Sequence, residues 1–261
     1  MDAGGVVVSV ALPALPVGSL LGDALEFIVS GQTNRDGREI GGPGQLWELG
    51  RTHLELTIAA LLIASAIAIP LGLWLGHRRK GELLAIATSN IGRAVPSLAL
   101  IALFVAFLGT GFLNVALALT LLAIPPILAT TYVGVAAVDR DLVDAARGQG
   151  LTERQIIRQV ELPLALSSIF GGLRTSAVNV VATATIAPLA GVLTLGDPII
   201  ATSVYGDAGR LGASIIVALL AILTELVFAQ AQRAATPVPL RTTRRSWRRN
   251  PAPPLLTEPT Q

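Results

Sequence analysis

Four apolar stretches, each long enough to cross a lipid bilayer, constrain this chain more than any other feature of its sequence. An α-helix rises about 1.5 Å per residue, so roughly 20 apolar residues span a hydrocarbon core of about 30 Å. Charged residues make up only 14% of the chain, against about 25% in an ordinary soluble domain. The chain therefore folds in a membrane, and the four stretches are Leu56–Gly76, Phe112–Val135, Leu162–Ala190 and Leu211–Gln230.

A fifth apolar stretch, Leu83–Leu108, is long enough to cross but is interrupted by Asn90, Arg93 and Pro96. Backbone groups freed by such interruptions are tolerated only where protein or a polar cavity satisfies them, so we expect a kinked or broken span here. The alternating pattern and regular turn signals of a transmembrane barrel are absent from the sequence. The predicted fold class is all-α, a polytopic membrane helix bundle of about five spans.

Basic residues are concentrated on one side of the predicted membrane. Cytoplasmic flanks of membrane helices are enriched in Lys and Arg, and such clusters follow the first, third and last spans of this chain. Five spans with the amino terminus outside place all three clusters, and the carboxyl terminus, in the cytoplasm. The clusters are His77–Lys80, then Arg140, Arg147, Arg154 and Arg158, and finally the arginines between Arg233 and Arg249.

The sequence lacks the residues that catalysis or metal binding would need. It contains no cysteine, which excludes thiolate metal sites and cysteine nucleophiles. His53 and His77 are not spaced as metal ligands, and no serine nucleophile motif is present. A Walker-type glycine loop is also absent, and the single lysine is Lys80. We therefore expect no catalytic residue, no metal and no cofactor in this chain.

Composition divides the chain into three parts. Residues 1–50 contain a short, proline-interrupted stretch, Gly5–Leu21, predicted to be an interfacial element rather than an extra span, and an external loop over Gly31–Gly44. Residues 51–233 form the transmembrane domain. Residues 234–261 combine prolines with arginines, cannot bury a core, and are predicted to be a disordered cytoplasmic tail. We expect this tail to be attracted to anionic lipid and not to nucleic acid.

Two short helices are signalled in residues 139–163, between the third and fourth spans. Asp139 can cap the first helix, and Gly150 tolerates the left-handed backbone at which such a helix ends. Thr152 and Gln155 have the spacing of a capping box at the start of the second helix. The sequence therefore predicts a rigid elbow outside the bilayer, of the kind that could transmit a displacement to a membrane helix.

The elbow carries a motif that reads D-A-A-x3-G-x9-V-x-L-P. It resembles the cytoplasmic coupling motif of binding-protein-dependent ABC import permeases, which begins Glu-Ala-Ala. The resemblance implies that the alanine pair sits in a groove of a separate ATPase and that the glycine permits the turn. Asp in place of Glu keeps the charge and shortens its reach. The matching residues are Asp144, Ala145, Ala146, Gly150, Val160, Leu162 and Pro163.

The resemblance extends from about Leu46 to Arg233 and is strongest to the osmoprotectant subgroup of these permeases. It implies a MetI-like helix bundle that imports glycine betaine, choline, carnitine or proline betaine. The runs that carry it are Arg93–Leu100, Ile124–Gly134, Gly172–Thr175, Ala182–Ile186 and Leu195–Ile199.

Aromatic residues form only 4% of the chain, and Trp47, Trp74 and Trp247 do not cluster in the sequence. Quaternary ammonium ligands are commonly held by aromatic cages through cation–π attraction. We therefore expect tight recognition in a separate extracytoplasmic binding protein, as in the resembling family, with the permease providing a path of low affinity.

Charged residues within or near the apolar spans need an explanation, because an unpaired charge costs several kcal/mol in a membrane. Two interpretations stay open: a gate or lining of the solute path, and a structural ion pair between Arg174 and Glu225. The candidate gate or pathway residues are Arg93, Pro96, Ser97, Arg174, Thr183, Thr185 and Glu225.

The sequence predicts a multi-pass permease subunit of a bacterial cell membrane, with no enzymatic activity of its own. Its expected partners are ABC ATPase subunits, an extracytoplasmic substrate-binding protein and a second permease, identical or similar. Three alternatives remain: an ABC permease for an amino acid, a phosphonate or another small solute; an ion-driven secondary transporter, which usually shows paired repeats; and a structural membrane subunit without transport.

Overall fold

The structure of the chain, a computed structural model, describes residues 17–33, 36–82, 87 and 95–236. These residues are helical apart from turns and one hairpin of two very short strands. In chain order the elements are α1 (Val17–Val29), β1 (Gln32–Thr33), β2 (Glu39–Ile40), α2 (Gly42–Arg78), α3 (Ser97–Leu108), α4 (Phe112–Ala136), α5 (Arg140–Gly148), α6 (Glu153–Ile156), a π-helical segment (Ile157–Glu161), α7 (Leu162–Thr183), a 3₁₀ segment (Ala184–Ala190), α8 (Asp197–Ile200) and α9 (Thr202–Ala235).

Four helical segments are long and apolar enough to cross a membrane: α2, α4, the run Glu153–Ala190, and α9. They contain the four stretches that the sequence singled out, and the predicted all-α membrane bundle is confirmed. α3 is a shorter apolar helix and makes up most of the described part of the interrupted stretch Leu83–Leu108. It begins directly after Pro96, whose backbone is extended.

α2 and α4 run parallel to each other, packed through small residues. A Cβ atom at Gly72 would lie 2.7 Å from Cβ of Thr131, and one at Gly76 would lie 2.7 Å from Cβ of Val135. The two helices therefore approach at the small-x3-small spacing of α2, and both end on the same side of the bundle. α4 therefore begins on the side opposite to the end of α2, and α3 lies between these two helices in the chain.

α7 runs antiparallel to α4 and is packed in the same way. Gly134 lies against Ser168, and Gly172 lies against Thr130 one helical turn earlier on α4. The carboxyl ends of α2, α4 and α9 and the amino end of α7 therefore meet on one side. Because the basic clusters lie at these ends, this side is the cytoplasmic one.

α1 and the short hairpin pack on the opposite, external end of the bundle. Phe27 is fully buried, and its ring meets that of Tyr205 edge-on, with centroids 6.3 Å apart. Gly212 on α9 leaves room for the same ring. The sequence predicted only an interfacial element over Gly5–Leu21, mostly outside the described residues, and a loop over Gly31–Gly44. In the structure the packed helix α1, Val17–Val29, overlaps the end of the first segment, and α2 begins inside the second at Gly42.

The carboxyl-terminal tail predicted for residues 234–261 lies outside the described residues beyond position 236. The last described helix, α9, ends at Ala235.

Candidate functional site

The first helix of the cytoplasmic elbow, α5, begins at the side-chain cap that the sequence predicted. Oδ1 of Asp139 accepts a hydrogen bond from the backbone amide of Asp141 at 3.0 Å. This bond satisfies one of the amides that a helix start leaves without an intrahelical partner. The start of the elbow is therefore fixed by a residue next to it in the sequence.

α5 ends in a Schellman turn centred on Gly150. The Gly150 amide donates to the carbonyl of Arg147, and the Leu151 amide donates to the carbonyl of Ala146, which are the two hydrogen bonds of that motif. Gly150 has a φ of 85°, a left-handed conformation that glycine adopts at little cost. The glycine of the coupling motif therefore sets the angle between the two arms of the elbow.

The second helix, α6, begins with the predicted capping box. The amide and the hydroxyl of Thr152 both donate to Oε1 of Gln155, at 2.8 and 2.9 Å, and the reciprocal bond from the backbone completes the box. Two amides at the helix start are thereby satisfied by side chains. The capping box that the sequence predicted is confirmed.

The second arm of the elbow does not stop before the membrane. α6 passes through the π-helical segment into α7 without leaving helical backbone angles, and the Leu162 amide donates to the carbonyl of Ile157, five residues earlier. Pro163 lacks an amide, and its ring would clash with the preceding turn of an α-helix; a wider π turn accommodates it. The sequence suggested a separate short helix here, but residues 153–183 form one continuous helix.

The motif residues differ in their surroundings. Ala145 is exposed, whereas Ala146 is 8% exposed and packs within the elbow. Val160, Leu162 and Pro163 are half-buried along the helix that enters the membrane. Of the two alanines, only Ala145 therefore has an exposed surface.

The acidic residue that opens the motif takes part in a chain of ion pairs. Oδ1 of Asp144 lies 2.7 Å from Nη1 of Arg147, and the same guanidinium contacts both carboxylate oxygens of Glu153, at 3.1 and 3.2 Å. The Glu153 hydrogen bond raises the pKa of Arg147. These contacts connect the two arms of the elbow across the glycine turn.

The end of α2 also contacts the elbow, which the sequence did not suggest. Nε2 of His77 lies 3.0 Å from Oε2 of Glu153, and Nδ1 lies 2.8 Å from Oε2 of Glu161, whose side chain is 5% exposed. Nη2 of Arg79 donates to the carbonyl of Val138 at 2.6 Å. In the sequence His77 and Arg79 appeared only as members of a basic cluster, and Glu161 appeared only as the variable position between Val160 and Leu162 of the motif. Their pairing depends on tertiary structure.

Two of the candidate pathway residues do pair. Nε of Arg174 on α7 lies 2.9 Å from Oε1 of Glu225 on α9, and the two side chains are 39% and 42% exposed. The hypothesis of an ion pair between them is confirmed. Gln232 extends the contact: its Oε1 accepts from Nη1 of Arg174 at 3.4 Å, and its Nε2 donates to the carbonyl of Ser167 at 2.8 Å.

A cavity of about 450 Å³ lies beside this pair, between α4, α7 and α9. Its walls include the side chains of Thr130, Ser167, Ser168, Thr175 and Gln232. Thr130, Ser167, Ser168 and Gln232 lie in the cytoplasmic halves of their helices, and Thr175 lies near the middle of α7. The cavity is therefore lined in part by hydroxyl and amide groups.

The remaining pathway candidates lie elsewhere. Pro96 and Ser97 lie at the start of α3. Thr183 is the last residue of α7, and Thr185 lies in the following 3₁₀ segment, where its hydroxyl donates to the carbonyl of Ala182. Arg93 lies outside the described residues. The structure thus brings Arg174 and Glu225 together and does not bring Thr183 or Thr185 to the same place.

Comparison with known proteins gives a consistent result. The family model described as binding-protein-dependent transport system inner membrane component matches residues 68–237. The carnitine transport permease protein OpuCB of Listeria monocytogenes is 36% identical over 201 residues, covering 77% of this chain and 90% of that protein. The choline transport system permease protein OpuBB of Bacillus subtilis is 35% identical over 195 residues, covering 74% and 90%.

Solved structures give the same fold. An inward-facing structure of the MetNI methionine ABC transporter matches with a TM-score of 0.63 and 22% identity, covering 74% of this chain and 96% of that chain. An amino acid ABC transporter with histidines matches with a TM-score of 0.53 and 21% identity, covering 72% and 91%. At this identity the likeness concerns the fold alone.

Proposed function

The chain belongs to the family of binding-protein-dependent transport system inner membrane components, and on this premise we propose that it is the membrane permease of an ATP-driven importer of quaternary ammonium osmoprotectants. Permeases of this family are not enzymes, and they work with a separate ATPase and a substrate-binding protein. The relatives named for carnitine and for choline support this class of solute.

The observation that carries the proposal is the elbow between α4 and α7. It is stiffened by the cap at Asp139, the glycine turn at Gly150 and the capping box at Thr152. A stiff segment transmits a displacement that a flexible loop would absorb. In the proposed complex, Ala145 and the exposed face of α5 dock on the ATPase, which binds the ATP.

Movement of the elbow would reach the membrane through two helices. Its second arm is continuous with α7, and its first arm follows α4 after a few residues. Closure of two ATPase subunits would therefore tilt α7 and α4 against α2 and α9 and expose the solute path alternately to either side. A second permease, identical or similar, would supply the other half of the path.

The Arg174–Glu225 pair is the best candidate for a part of that path. Arg174 lies about 18 Å along α7 from its cytoplasmic end, at about 1.5 Å per residue, and both charges are substantially exposed. Charged groups at this depth avoid lipid and face protein or a water-filled cavity. Glycine betaine and carnitine are zwitterions, and an adjacent cation and anion complement both of their charges. The neighbouring cavity provides space for such a solute.

Reconstitution in liposomes tests the proposed function. The permease, its ATPase and its binding protein are assembled, and uptake of radiolabelled glycine betaine, carnitine and choline is measured with and without ATP on the ATPase side. Methionine serves as a control for an unrelated solute. We expect saturable uptake of at least one quaternary ammonium compound that requires both ATP and the binding protein.

Two results would contradict the proposal. Uptake driven by an ion gradient in the absence of the ATPase would indicate a secondary transporter. ATP-dependent uptake of an amino acid or a phosphonate, with none of the three quaternary ammonium compounds transported, would keep the importer class and reject the solute.

A further inference from the structure

His77 ends the first long membrane helix within hydrogen-bonding distance of two carboxylates on the elbow. Its Nε2 is 3.0 Å from Glu153 and its Nδ1 is 2.8 Å from Glu161. The His77 side chain is 12% exposed. The elbow is joined in the chain to α4 and α7. Through His77 a third membrane helix, α2, also contacts it.

The two contacts place the imidazole ring between two carboxyl groups. A ring nitrogen can donate to a carboxylate or accept from a protonated carboxyl group, so each contact can form a hydrogen bond. This arrangement also compensates the Glu161 carboxylate, which would otherwise be buried without a partner.

His77 completes a continuous chain of polar contacts. Asp144 contacts Arg147, Arg147 contacts Glu153, Glu153 contacts His77, and His77 contacts Glu161. We call these five residues the cytoplasmic clasp. The clasp begins at the acidic residue of the coupling motif and ends in the π-helical segment that leads into α7.

We propose that His77 is a positioning residue for coupling, which makes α2 move with the elbow when the ATPase displaces it. The inference rests on the proposed function of the elbow and goes beyond it. Without the clasp, a displacement of the elbow would act directly on α4 and α7, and α2 would follow through its packing against these two helices and through the contact of Arg79 with the beginning of the elbow. Arg79, which donates to the carbonyl of Val138, holds the same helix end to the beginning of the elbow.

One of the other charged residues near His77, Arg78, is suited to a control substitution for His77→Ala. Arg78, Arg79, Arg140, Asp144 and Arg147 line a cavity of about 280 Å³ together with His77 and Glu161. Arg78 stacks over the Trp74 ring at 4.7 Å and is not a member of the clasp. Arg78→Gln therefore removes a charge from the same helix end while leaving the clasp intact.

The test measures uptake and ATP hydrolysis in the same reconstituted complex, with radiolabelled glycine betaine, carnitine and choline as the solutes. We expect His77→Ala to lower uptake at least fivefold while ATP hydrolysis stays within about twofold of wild type, so that more ATP is consumed per solute. His77→Arg, which supplies several hydrogen-bond donors and a positive charge to the two carboxyl groups, should restore at least half of the uptake. Arg78→Gln should keep the wild-type ratio.

A double variant keeps the test decisive if His77→Ala fails to fold. His77→Ala with Glu161→Gln removes the imidazole and leaves no carboxyl group buried without a partner, and we expect this double variant to be uncoupled to the same degree. The proposal would be overturned if the double variant hydrolysed as much ATP per imported solute as the wild type does. It would also be overturned if uptake and ATP hydrolysis fell equally, in proportion to a smaller amount of assembled complex. Failure of the wild-type complex to import any of the three solutes would instead count against the proposed function.

Discussion

The cytoplasmic elbow and the membrane bundle are held together by different forces. The elbow, residues 139–163, is fixed by directional hydrogen bonds and ion pairs between residues close in sequence, such as the bonds from the backbone amides of Asp141 and Thr152 to the side chains of Asp139 and Gln155. The bundle is held by close contact of small residues, as where Gly72 meets Thr131. Directional bonds resist bending, whereas smooth helix contacts permit the small sliding movements by which packed helices rearrange.

This difference suits a transport machine that receives force at one end. A stiff elbow delivers a displacement, and a bundle of closely packed but weakly directional contacts can respond to it. Substitutions in the bundle should therefore prevent assembly, and substitutions in the elbow should leave assembly intact and disturb coupling. The predictions below test that division, from the largest expected effect to the smallest.

Reversing one charge of the membrane pair should have the largest effect. Arg174→Glu places two carboxylates together at membrane depth, and we expect most of the assembled protein to be lost, since an unpaired charge there costs several kcal/mol. Combining it with Glu225→Arg should restore the amount of protein in the membrane. Immunoblots of purified membranes measure this recovery.

The same double variant separates a structural pair from a pathway pair. If the pair only holds α7 to α9, the reversed pair should transport as the wild type does. If the pair contacts the solute, the reversed pair should assemble and still transport glycine betaine poorly, because the charges now face the zwitterion in the opposite order. Absence of any recovery of protein would contradict the ion pair itself.

Two adjacent glycines on α7 test the packing of the bundle. A Cβ atom at Gly172 would overlap the Thr130 hydroxyl and lie 3.0 Å from the carbonyl of Pro126, whereas at Gly171 it would meet only the Gln232 amide at 3.5 Å. We expect Gly172→Ala to destabilise the protein by about 1–3 kcal/mol, as overpacking does, and Gly171→Ala to be nearly neutral. Thermal unfolding in detergent compares them, and equal melting temperatures would show that α4 and α7 are less closely packed.

A pair of glycines in the elbow provides the corresponding test of coupling. Proline cannot adopt the φ of 85° found at Gly150 and has no amide for the carbonyl of Arg147. We expect Gly150→Pro to insert normally, to lower uptake at least tenfold and to retain ATP hydrolysis. Gly148→Ala, at a helical position with open space around it, is the control and should transport normally. Wild-type uptake by Gly150→Pro would reject the role of the turn.

The contrast between the regions also explains what could be predicted from the sequence. The cap at Asp139, the capping box and the turn at Gly150 involve neighbours in sequence and were all identified. The spans followed from length and hydrophobicity. By contrast, the contact of His77 with Glu161 joins residues far apart in the chain. α1 is too short to be recognised as a span, and it buries Phe27 against α9, near the other end of the chain. Such features depend on which helices become neighbours.

The continuity of the elbow with α7 was missed for a different reason. Pro163 ordinarily marks the beginning of a helix, and the sequence offers no signal for a π turn that accommodates it. The Arg174–Glu225 pair was foreseen as a hypothesis because two opposite charges in apolar spans require partners.

Site-directed cross-linking tests the central claim, that the elbow receives its movement from a partner ATPase, most directly. The chain has no cysteine, so Ala145→Cys can be labelled with a photoreactive probe, and Ser203→Cys at the external end of α9 serves as the control. We predict that the probe at position 145 cross-links to the ATPase, with a yield that changes on ATP binding, and that the control does not. A probe at position 145 that reached only lipid or its own chain would contradict the account.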